Sequence, residues 1–386
     1  MGINNNFEYR LNHFIPKALT EAREARGLTK SALAPKLNIS PQMISKYENG
    51  QSEPSAQTLR LIAAKLNMPL SYFFKEVVPK ESVVFFRSQA AARVRSKKIH
   101  VNRIKWLQRL QNYFEIILDF PNLDIPHVNF RKDFRETPFD EIENLTLKLR
   151  KYWGLGLNPI PNLTLLLEKK GIIISSTSFS DMTIDACSTW DKDNRPFVFL
   201  NYDKGSAVRS RFDLAHELGH LLLHSQIKES DFNKRSIYKR IEQEANYFAS
   251  SFLLPEESFG NDLQINSLSH YIVLKEKWKV SIAAMIYRAE TLGLLSDYQV
   301  LHMRKELARR NMRTVEPLDD EIRHEKPQAL NQAIKLILDN NVKTKGEIIN
   351  EVGLSDSDIE AICGLEKGYL TEKSYQDNVI PFTFKK

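Results

Sequence analysis

The sequence predicts a multidomain fold with an α-helical N-terminal domain, an α+β domain in the middle of the chain and a helical C-terminal region. Three observations predict it. Short helical patterns separated by turn residues fill the first 75 positions, β-branched runs precede two amphipathic helices in the middle, and polar helical patterns follow from position 297. A chain of 386 residues is also too long for one typical domain. We expect domains at residues 7–75, 135–297 and 298–386, with a basic helical connector at 76–134.

The composition is that of a globular protein, because apolar residues make up 42% of the chain and charged residues 27%. Charged residues interrupt the apolar runs well before the roughly 18 residues that a membrane helix needs, and the N-terminus MGINNNFEYR has no apolar signal core. The cysteines, Cys187 and Cys363, are far apart and suggest no disulfide framework. We therefore expect a cytoplasmic protein without membrane contact.

The N-terminal domain is predicted to consist of short helices, ALTEAREARGLT, TKSALAPKL, PQMISKYE and TLRLIAAKL. Residue types that cap or end helices stand at each boundary, namely Gly27, Thr29, Asn38, Ser40 and Ser55. A helix, a tight turn and a second capped helix with one polar face form a helix-turn-helix pattern.

This pattern carries a family resemblance. The stretch RGLTKSALAPKLNISPQMISKYENGQSEPS resembles the phage-repressor-like (XRE-type) DNA-binding domains, most specifically at ISPQMISKYENG and PSAQTLRLIA. The resemblance implies that Gln42 and Lys46 lie on the exposed face of the recognition helix and reach base edges, while Ser45 and Asn49 contact phosphates. It places four apolar residues in the core, Leu33, Leu37, Ile44 and Leu59.

Pro35 departs from the helix-turn-helix pattern. Proline inside a helix removes a hydrogen bond, so we expect it to kink this short helix and tilt the unit slightly without changing the fold. A helical bundle used only for protein contacts is the alternative to DNA binding, since some domains of this kind lose that function.

A basic block follows this domain. Positions 82–114 contain no acidic residue and eight basic ones, Arg87, Arg93, Arg95, Lys97, Lys98, Arg103, Lys105 and Arg109. Such a block can neutralise phosphates, so we expect it to link the domains and add phosphate contacts. A solvated helical face is the alternative.

The segment RFDLAHELGHLLLH, positions 211–224, brings His216, Glu217 and His220 together. Residues four apart share one face of a helix, so both imidazoles can bind one ion, and Glu217 can reach a water at that ion without binding it. Gly219 is expected to leave space close to the metal. The spacing predicts the zinc site of a hydrolase, with a structural histidine pair on a buried helix as the alternative.

A catalytic zinc takes three protein ligands and keeps a fourth position open. In the downstream pattern RIEQEANYFASSFLLP, Glu242 joins the apolar stripe of Ala245, Phe248, Ala249 and Phe252. Glu244 lies roughly 200° away around the helix, so both carboxylates cannot face one ion. We expect Glu242 to be the third ligand, with Glu244 as the alternative. Asn246, one turn from Glu242, is expected to orient a histidine.

Three strands are predicted before these helices, in GIIISS, DACSTW and RPFVFLNY. An edge strand beside a metal cleft can hold a peptide in extended form through main-chain hydrogen bonds. An ordinary core sheet is the alternative, and the sequence does not indicate which strand lies at the edge.

The region from about Trp153 to Pro255 resembles the ImmA/IrrE family of zinc metallopeptidases, on YWGLGLNPIPNLTLLLEKKGIII, DACSTWDKDNRPFVFLN, RSRFDLAHELGHLLLH and EQEANYFASSFLLP. The resemblance implies a gluzincin-like α+β fold and site-specific cleavage of a repressor protein. Carried over by position, it implies zinc binding by His216, His220 and Glu242, with Glu217 as general base.

Other residues near this motif have less defined roles. His224, in the tail of the motif, is not expected to bind the metal. Arg209 and Arg211 are expected mainly to face solvent. Tyr202, Tyr247 and Arg209 are unranked candidates for stabilising the substrate carbonyl opposite zinc.

These observations predict a DNA-binding transcriptional regulator fused to a zinc-dependent endopeptidase. Its expected partners are operator DNA, a protein substrate such as a repressor or antitoxin-like protein in a stress, phage or mobile-element response, and a second copy of the chain. The alternatives are a regulator whose metal domain is a non-catalytic sensor or interaction module, and a structural zinc fold. A structural site would be expected to have four protein ligands, usually including cysteine. The C-terminal region is expected either to pack against the peptidase domain or to dimerise.

Overall fold

The computed structural model describes residues 13–75, 84–86, 94–126, 136–177, 185–202, 206–225, 227, 229–232 and 234–371. Its helices are α1 (Pro16–Ala25), α2 (Lys30–Leu33), α3 (Pro41–Glu48), α4 (Ala56–Leu66), α5 (Val94–Phe114), α6 (Phe139–Tyr152), α7 (Leu163–Lys169), α8 (Ala207–Leu223), α9 (Glu229–Phe232), α10 (Arg235–Leu253), α11 (Glu256–Asp262), α12 (Leu268–Trp278), α13 (Ile282–Thr291), α14 (Asp297–Arg309), α15 (Ala329–Asp339), α16 (Lys345–Val352) and α17 (Asp356–Cys363). Its strands are β1 (Phe85–Phe86), β2 (Ile173–Thr177), β3 (Ala186–Trp190) and β4 (Pro196–Asn201).

The chain divides into two compact units. Unit 1 comprises residues 1–23, 28–77 and 331–386, and unit 2 comprises residues 24–27 and 78–330. The predicted fold class is confirmed, since unit 1 is helical and unit 2 combines helices with one small mixed sheet. Across the parts of the chain that the structure describes, no helix has both the length and the hydropathy needed to cross a membrane.

In unit 1 the predicted capping residues lie at the ends of the helices. Asn38 adopts a left-handed conformation with φ of 54°. The Ser40 hydroxyl accepts a hydrogen bond from the Met43 backbone N–H at the start of α3, and Ser55 does the same for Thr58 at the start of α4. The predicted core residues are confirmed as buried, namely Leu33, Leu37, Ile44 and Leu59.

Pro35 changes the type of helix instead of kinking an α-helix. α2 ends at Leu33, and a 3-10 helix over Ala34–Leu37 follows it, with Pro35 in its first turn. The first turn of a helix has N–H groups without intrahelical partners, so the missing N–H of proline costs little there. The expectation of a kinked α-helix was therefore wrong, while the fold around it is unchanged.

The C-terminal helices α16 and α17 belong to unit 1 together with most of α15. The Asn67 side chain, at the end of α4, donates to Ser357 Oγ over 3.1 Å, and Lys75 Nζ donates to the Asn350 carbonyl over 2.6 Å. We expected the C-terminal region as a whole either to pack against the peptidase domain or to dimerise. Within it, α16 and α17 contact the helix-turn-helix domain. Residues 298–330 belong to unit 2, so the two units divide the C-terminal region between them.

The sheet of unit 2 has the strand order β1-β3-β4-β2. β3 and β4 form an antiparallel hairpin, β2 runs parallel to β4, and β1 pairs antiparallel with β3. The hairpin turn is closed by the Asp191 carboxylate, which accepts hydrogen bonds from the backbone N–H groups of Asp193 and Arg195. The predictions of β2, β3 and β4 are confirmed, whereas β1 was not predicted because its two residues form no recognisable strand pattern.

Helix α8 packs against β3, β4 and α10, and α5 packs against β4. Trp106, Leu107 and Leu110 of α5 are buried. α5 thus contributes to the core of unit 2 and carries most of the basic block. Arg87 and Arg93 lie outside the described residues, and phosphate contacts by the others stay a prediction.

Candidate metal centre and recognition helix

Close packing of α8 against α10 brings the candidate site together. A Cβ atom added at Gly219 would lie 3.1 Å from Phe248 Cδ1, so glycine at this position lets α10 approach α8. We expected Gly219 to leave space for the metal, but the space it leaves is filled by Phe248. The consequence for the site is that Glu242, on α10, reaches the histidines of α8.

His216, His220 and Glu242 converge on one point, with their ligand atoms all within 4.8 Å of one another. The two Nε2 atoms are 2.9 Å apart. Glu242 Oε2 lies 3.6 Å from His216 Nε2, and Glu242 Oε1 lies 3.4 Å from His220 Nε2. Both imidazoles are fully buried, and the Glu242 side chain is 19% exposed.

Hydrogen bonds at the far side of each ring indicate which nitrogen carries the proton. His216 Nδ1 lies 3.0 Å from the Asn246 side-chain oxygen, an acceptor, so the proton of a neutral ring is on Nδ1 and Nε2 has a lone pair. This is the contact that we expected of Asn246. His220 Nδ1 lies 3.0 Å from His224 Nδ1.

His224 and Glu244 continue this chain of hydrogen bonds. His224 Nε2 donates to Glu244 Oε2 over 3.1 Å, and burial lowers the pKa of His224 to about 4, so its ring is neutral. Its single proton is therefore on Nε2, and its Nδ1 accepts from His220 Nδ1. As in His216, this leaves the Nε2 lone pair of His220 facing Glu242.

Glu244 is occupied by other partners, away from the two Nε2 atoms. Its carboxylate also accepts hydrogen bonds from Arg240 Nε over 2.8 Å and from the Thr137 backbone N–H over 2.9 Å. Burial acts to raise the pKa of Glu244, but the hydrogen bonds from His224 and Thr137 outweigh it and hold that pKa below its ordinary value. In the geometry, Glu242 and not Glu244 faces both histidines.

The donor set fits a zinc ion. Ligand atoms about 2.0 to 2.1 Å from a tetrahedral zinc lie roughly 3.3 Å from each other. The three separations given above, from 2.9 to 3.6 Å, bracket this value. Two imidazole lone pairs that face each other beside a carboxylate repel without a cation between them. Within the described residues, Glu242 Oε1 is also buried without a hydrogen-bond partner.

Glu217 follows His216 on α8 and is fully buried. Ser188 Oγ, on β3, donates to Glu217 Oε2 over 2.5 Å, which fixes the orientation of the carboxylate. Sequence reasoning missed Ser188, although it lies in a predicted strand, because the side that a strand residue faces depends on the packing of the sheet.

The other residues considered near the motif have hydrogen-bond partners that the sequence did not indicate. The Tyr202 hydroxyl donates to the Glu325 carbonyl over 2.7 Å, and the Tyr247 hydroxyl to Glu143 Oε2 over 3.3 Å. Arg211 was expected to face solvent, but it is buried, forms an ion pair with Glu325 and donates to the Ile160 carbonyl. The expectation for Arg211 was wrong because a long loop covers the start of α8.

A cavity of about 680 Å³ adjoins α8 and α10. Asn246, which contacts His216, lines it together with Gln243 of α10 and Arg209 of α8. Arg209 also donates to the Thr314 carbonyl over 2.7 Å. The cavity therefore has both polar and apolar walls and lies beside a residue that contacts a candidate ligand.

In unit 1, α3 presents its predicted contact residues outward. Gln42, Lys46 and Asn49 are exposed, and Ser45 is half-buried and accepts a hydrogen bond from Lys30 Nζ over 2.9 Å. Their contacts with DNA stay a prediction.

Beneath this face, Arg23 and Glu48 form a buried bidentate ion pair with distances of 2.6 and 3.1 Å, which joins α1 to α3. The sequence showed no sign of this pair, because its members are 25 positions apart.

Comparisons with known proteins match the two regions that carry these candidate sites. Residues 167–290 match the family model of the IrrE N-terminal-like domain, peptidase M78, and residues 19–73 match the helix-turn-helix family. An uncharacterised HTH-type transcriptional regulator of Rickettsia conorii is 33% identical over 75 residues, which are 19% of this chain and 60% of the relative. A similar regulator of Rickettsia prowazekii is 32% identical over 75 residues, 19% of this chain and 58% of the relative.

A eukaryotic protein, vegetative-specific protein H7 of Dictyostelium discoideum, is 38% identical over 60 residues, 16% of this chain and 58% of the relative. The chain thus spans 58 to 60% of the length of these three relatives. The chain therefore combines a helix-turn-helix domain of the XRE type, a DNA-binding class, with an IrrE-like domain of the peptidase M78 family.

Proposed function

We propose that the chain is a cytoplasmic DNA-binding regulator whose IrrE-like domain is a zinc-dependent endopeptidase. It cleaves a specific protein partner, such as a repressor or antitoxin-like protein, in a stress, phage or mobile-element response. The observation that carries the proposal is the convergence of His216, His220 and Glu242, with the buried Glu217 next to His216 in the sequence of α8. The homodimer stays a prediction.

In this proposal His216, His220 and Glu242 hold the zinc through two Nε2 atoms and a carboxylate. Zinc supplies a Lewis acid that polarises the scissile carbonyl and makes water a better nucleophile near neutral pH. The Asn246 and His224 contacts keep the Nδ1 protons in place and the Nε2 lone pairs available.

Glu217 moves the proton. Its carboxylate, oriented by Ser188, takes a proton from the attacking water and then delivers it to the nitrogen of the leaving amine. A buried carboxylate with one fixed oxygen loses little entropy in this step. The Glu217→Gln variant keeps the shape and the hydrogen bond from Ser188 but cannot accept the proton.

On DNA, Gln42 and Lys46 of α3 contact base edges in the major groove, and Ser45 and Asn49 contact phosphates. Support comes from the capped recognition helix and from the exposure of Gln42, Lys46 and Asn49. The Arg23–Glu48 pair holds this helix on α1.

The test compares cells that carry the wild-type chain, Glu217→Gln or the control Glu257→Gln, which makes the same change at an exposed position of α11. We expect one co-encoded protein to be trimmed with the wild type and the control, and to stay intact with Glu217→Gln. Purified Glu217→Gln should keep its zinc content and its DNA binding. Unchanged cleavage by Glu217→Gln contradicts the general-base role, and bound zinc without any cleavage by the wild type supports a sensor.

A further inference from the structure

Strand β1 occupies the outer edge of β3, next to the candidate metal centre. β1 consists of Phe85 and Phe86 and pairs antiparallel with β3, with Phe85 opposite Ser188 and Phe86 opposite Cys187. The other edge of β3 pairs with β4 along its whole length. Among the described strands, β1 is therefore the one that closes the edge of the sheet nearest to Ser188.

The side chain of Phe85 is turned toward the metal centre. Directly opposed residues of an antiparallel pair project from the same face of the sheet, and Ser188 projects toward Glu217. Accordingly, the Phe85 ring stacks on the His220 ring, with 5.3 Å between the centroids and 6° between the planes. The Phe85 side chain is also packed against Ile227 and Ile241 and is 1% exposed.

We propose that the β3 edge is the peptide-binding edge of the peptidase and that β1 holds it as an intramolecular blocking strand. The proposal rests on the proposed function. It also names the substrate class, an extended protein segment with a large apolar side chain for the pocket formed by His220, Ile227 and Ile241. Such a segment must displace β1 before it is cleaved.

Competition follows from the hydrogen bonding of a sheet edge. The main-chain N–H and C=O groups on one edge of β3 can pair with only one strand at a time. A segment of the same chain competes at an effective concentration on the order of millimolar, so even a short strand can hold the edge. A two-residue strand makes few main-chain hydrogen bonds, so a longer substrate segment that fills the same pocket can replace it.

The test measures binding and needs no turnover. The probe is a fluorescent peptide with the sequence of residues 81–90, ESVVFFRSQA, and the proteins are zinc-loaded full-length chains that carry Glu217→Gln. We compare intact β1 with Phe85→Asp, Phe85→Ala and the conservative Phe85→Leu. Tyr298→Asp makes the same kind of change at a side chain that is 78% exposed and serves as the control.

We expect Phe85→Asp and Phe85→Ala to bind the peptide at least about tenfold more tightly than the chain with intact β1, since their own strand no longer fills the pocket. Phe85→Leu and Tyr298→Asp should bind as weakly as the chain with intact β1. A peptide with Asp in place of the first of its two phenylalanines, the position of Phe85, should not bind. Backbone amides of residues 186–190 should exchange faster in Phe85→Asp.

Equal peptide affinity in all chains, or unchanged amide exchange in β3, overturns the proposal. A cut within residues 81–90 of the zinc-loaded wild-type chain also overturns it, because the segment is then a substrate. If Phe85→Asp does not fold, as judged by circular dichroism, Phe85→Ala decides by the same criteria. Absence of any peptidase activity contradicts the proposed function but leaves the binding and exchange results interpretable.

Discussion

The proposed recognition helix, α3, and the candidate metal centre place their candidate functional side chains in opposite environments. In α3, Gln42 and Lys46 are exposed, and the helix below them is held by one buried ion pair. In α8, His216 and His220 are fully buried, and each ring has a specific partner for its second nitrogen. An exposed site needs only a rigid support, whereas a buried polar site must satisfy each of its hydrogen-bonding groups.

This comparison predicts different consequences of substitution in the two regions. In unit 1, the residues that stabilise α3 differ from those proposed to contact DNA. Substitutions of the first kind should therefore lower stability, and substitutions of the second kind should change only DNA specificity. In unit 2, the residues that support the site also set the protonation of the ligands, so a supporting residue should change metal affinity.

The largest effect is expected for Arg23→Ala. It leaves Glu48, whose side chain is 4% exposed, as a buried charge without its bidentate partner, and breaking such a pair costs about 3–5 kcal/mol. Native-state hydrogen exchange in α3 measures the loss, and DNA binding should fall with it. The control Lys30→Ala removes a partner that is 38% exposed and 3.4 Å from Glu48, and should cost less than about 1 kcal/mol.

Next is Glu242→Ala, which removes a proposed ligand. Zinc affinity should fall by more than about 100-fold, because losses of about 10–100-fold are typical of residues that only orient a metal ligand. Competition with a zinc-binding dye measures the affinity. Glu244→Ala should lower zinc affinity less, because Glu244 acts through His224. If Glu244→Ala instead releases more zinc than Glu242→Ala, the ligand assignment moves to Glu244.

Asn246→Ala tests the support of His216. Without the acceptor on Asn246, the ring loses the contact that holds its proton on Nδ1, so zinc affinity should fall by about 10–100-fold. Asn246→Asp keeps an acceptor and should restore most of the affinity. An unchanged affinity in Asn246→Ala would mean that packing alone orients His216.

Gln42→Ala should have the smallest effect on stability, within about 0.5 kcal/mol, because its side chain is exposed. Discrimination at one base pair should fall by about 1–3 kcal/mol. Binding to an operator selected in vitro with the wild type, and to its single-base variants, measures this loss. Equal binding of the wild type and Gln42→Ala to every variant indicates that α3 serves protein contacts.

Much of the architecture could be predicted from local sequence. Ser40, Ser55 and Asn38 mark helix ends because their side chains or their tolerance of positive φ act within a few residues. The spacing of His216 and His220 places both on one face of α8, and the same periodicity favoured Glu242 over Glu244. In these cases the relevant partners lie within a turn or two of the same helix.

Several contacts between distant segments were not predicted or were predicted wrongly. Nothing in the sequence indicated that Phe248 fills the space above Gly219 or that a loop containing Glu325 covers Arg211. The C-terminal helices have an apolar face, but periodicity cannot specify which other helices cover it.

The sequence by itself determined the starts of α3 and α4, the strands β2 to β4, and a histidine pair with a carboxylate beside it. Only the tertiary structure decided which nitrogen of each ring faces the metal position, and that a strand from residues 85–86 lies against β3 beside the site. The physical reason is the separation along the chain over which each kind of interaction acts. Capping and helical periodicity act between neighbours in the chain. The contacts of His216 with Asn246, of His224 with Glu244 and of β1 with β3 instead join residues from 20 to about 100 positions apart, whose meeting depends on the packing of the whole unit.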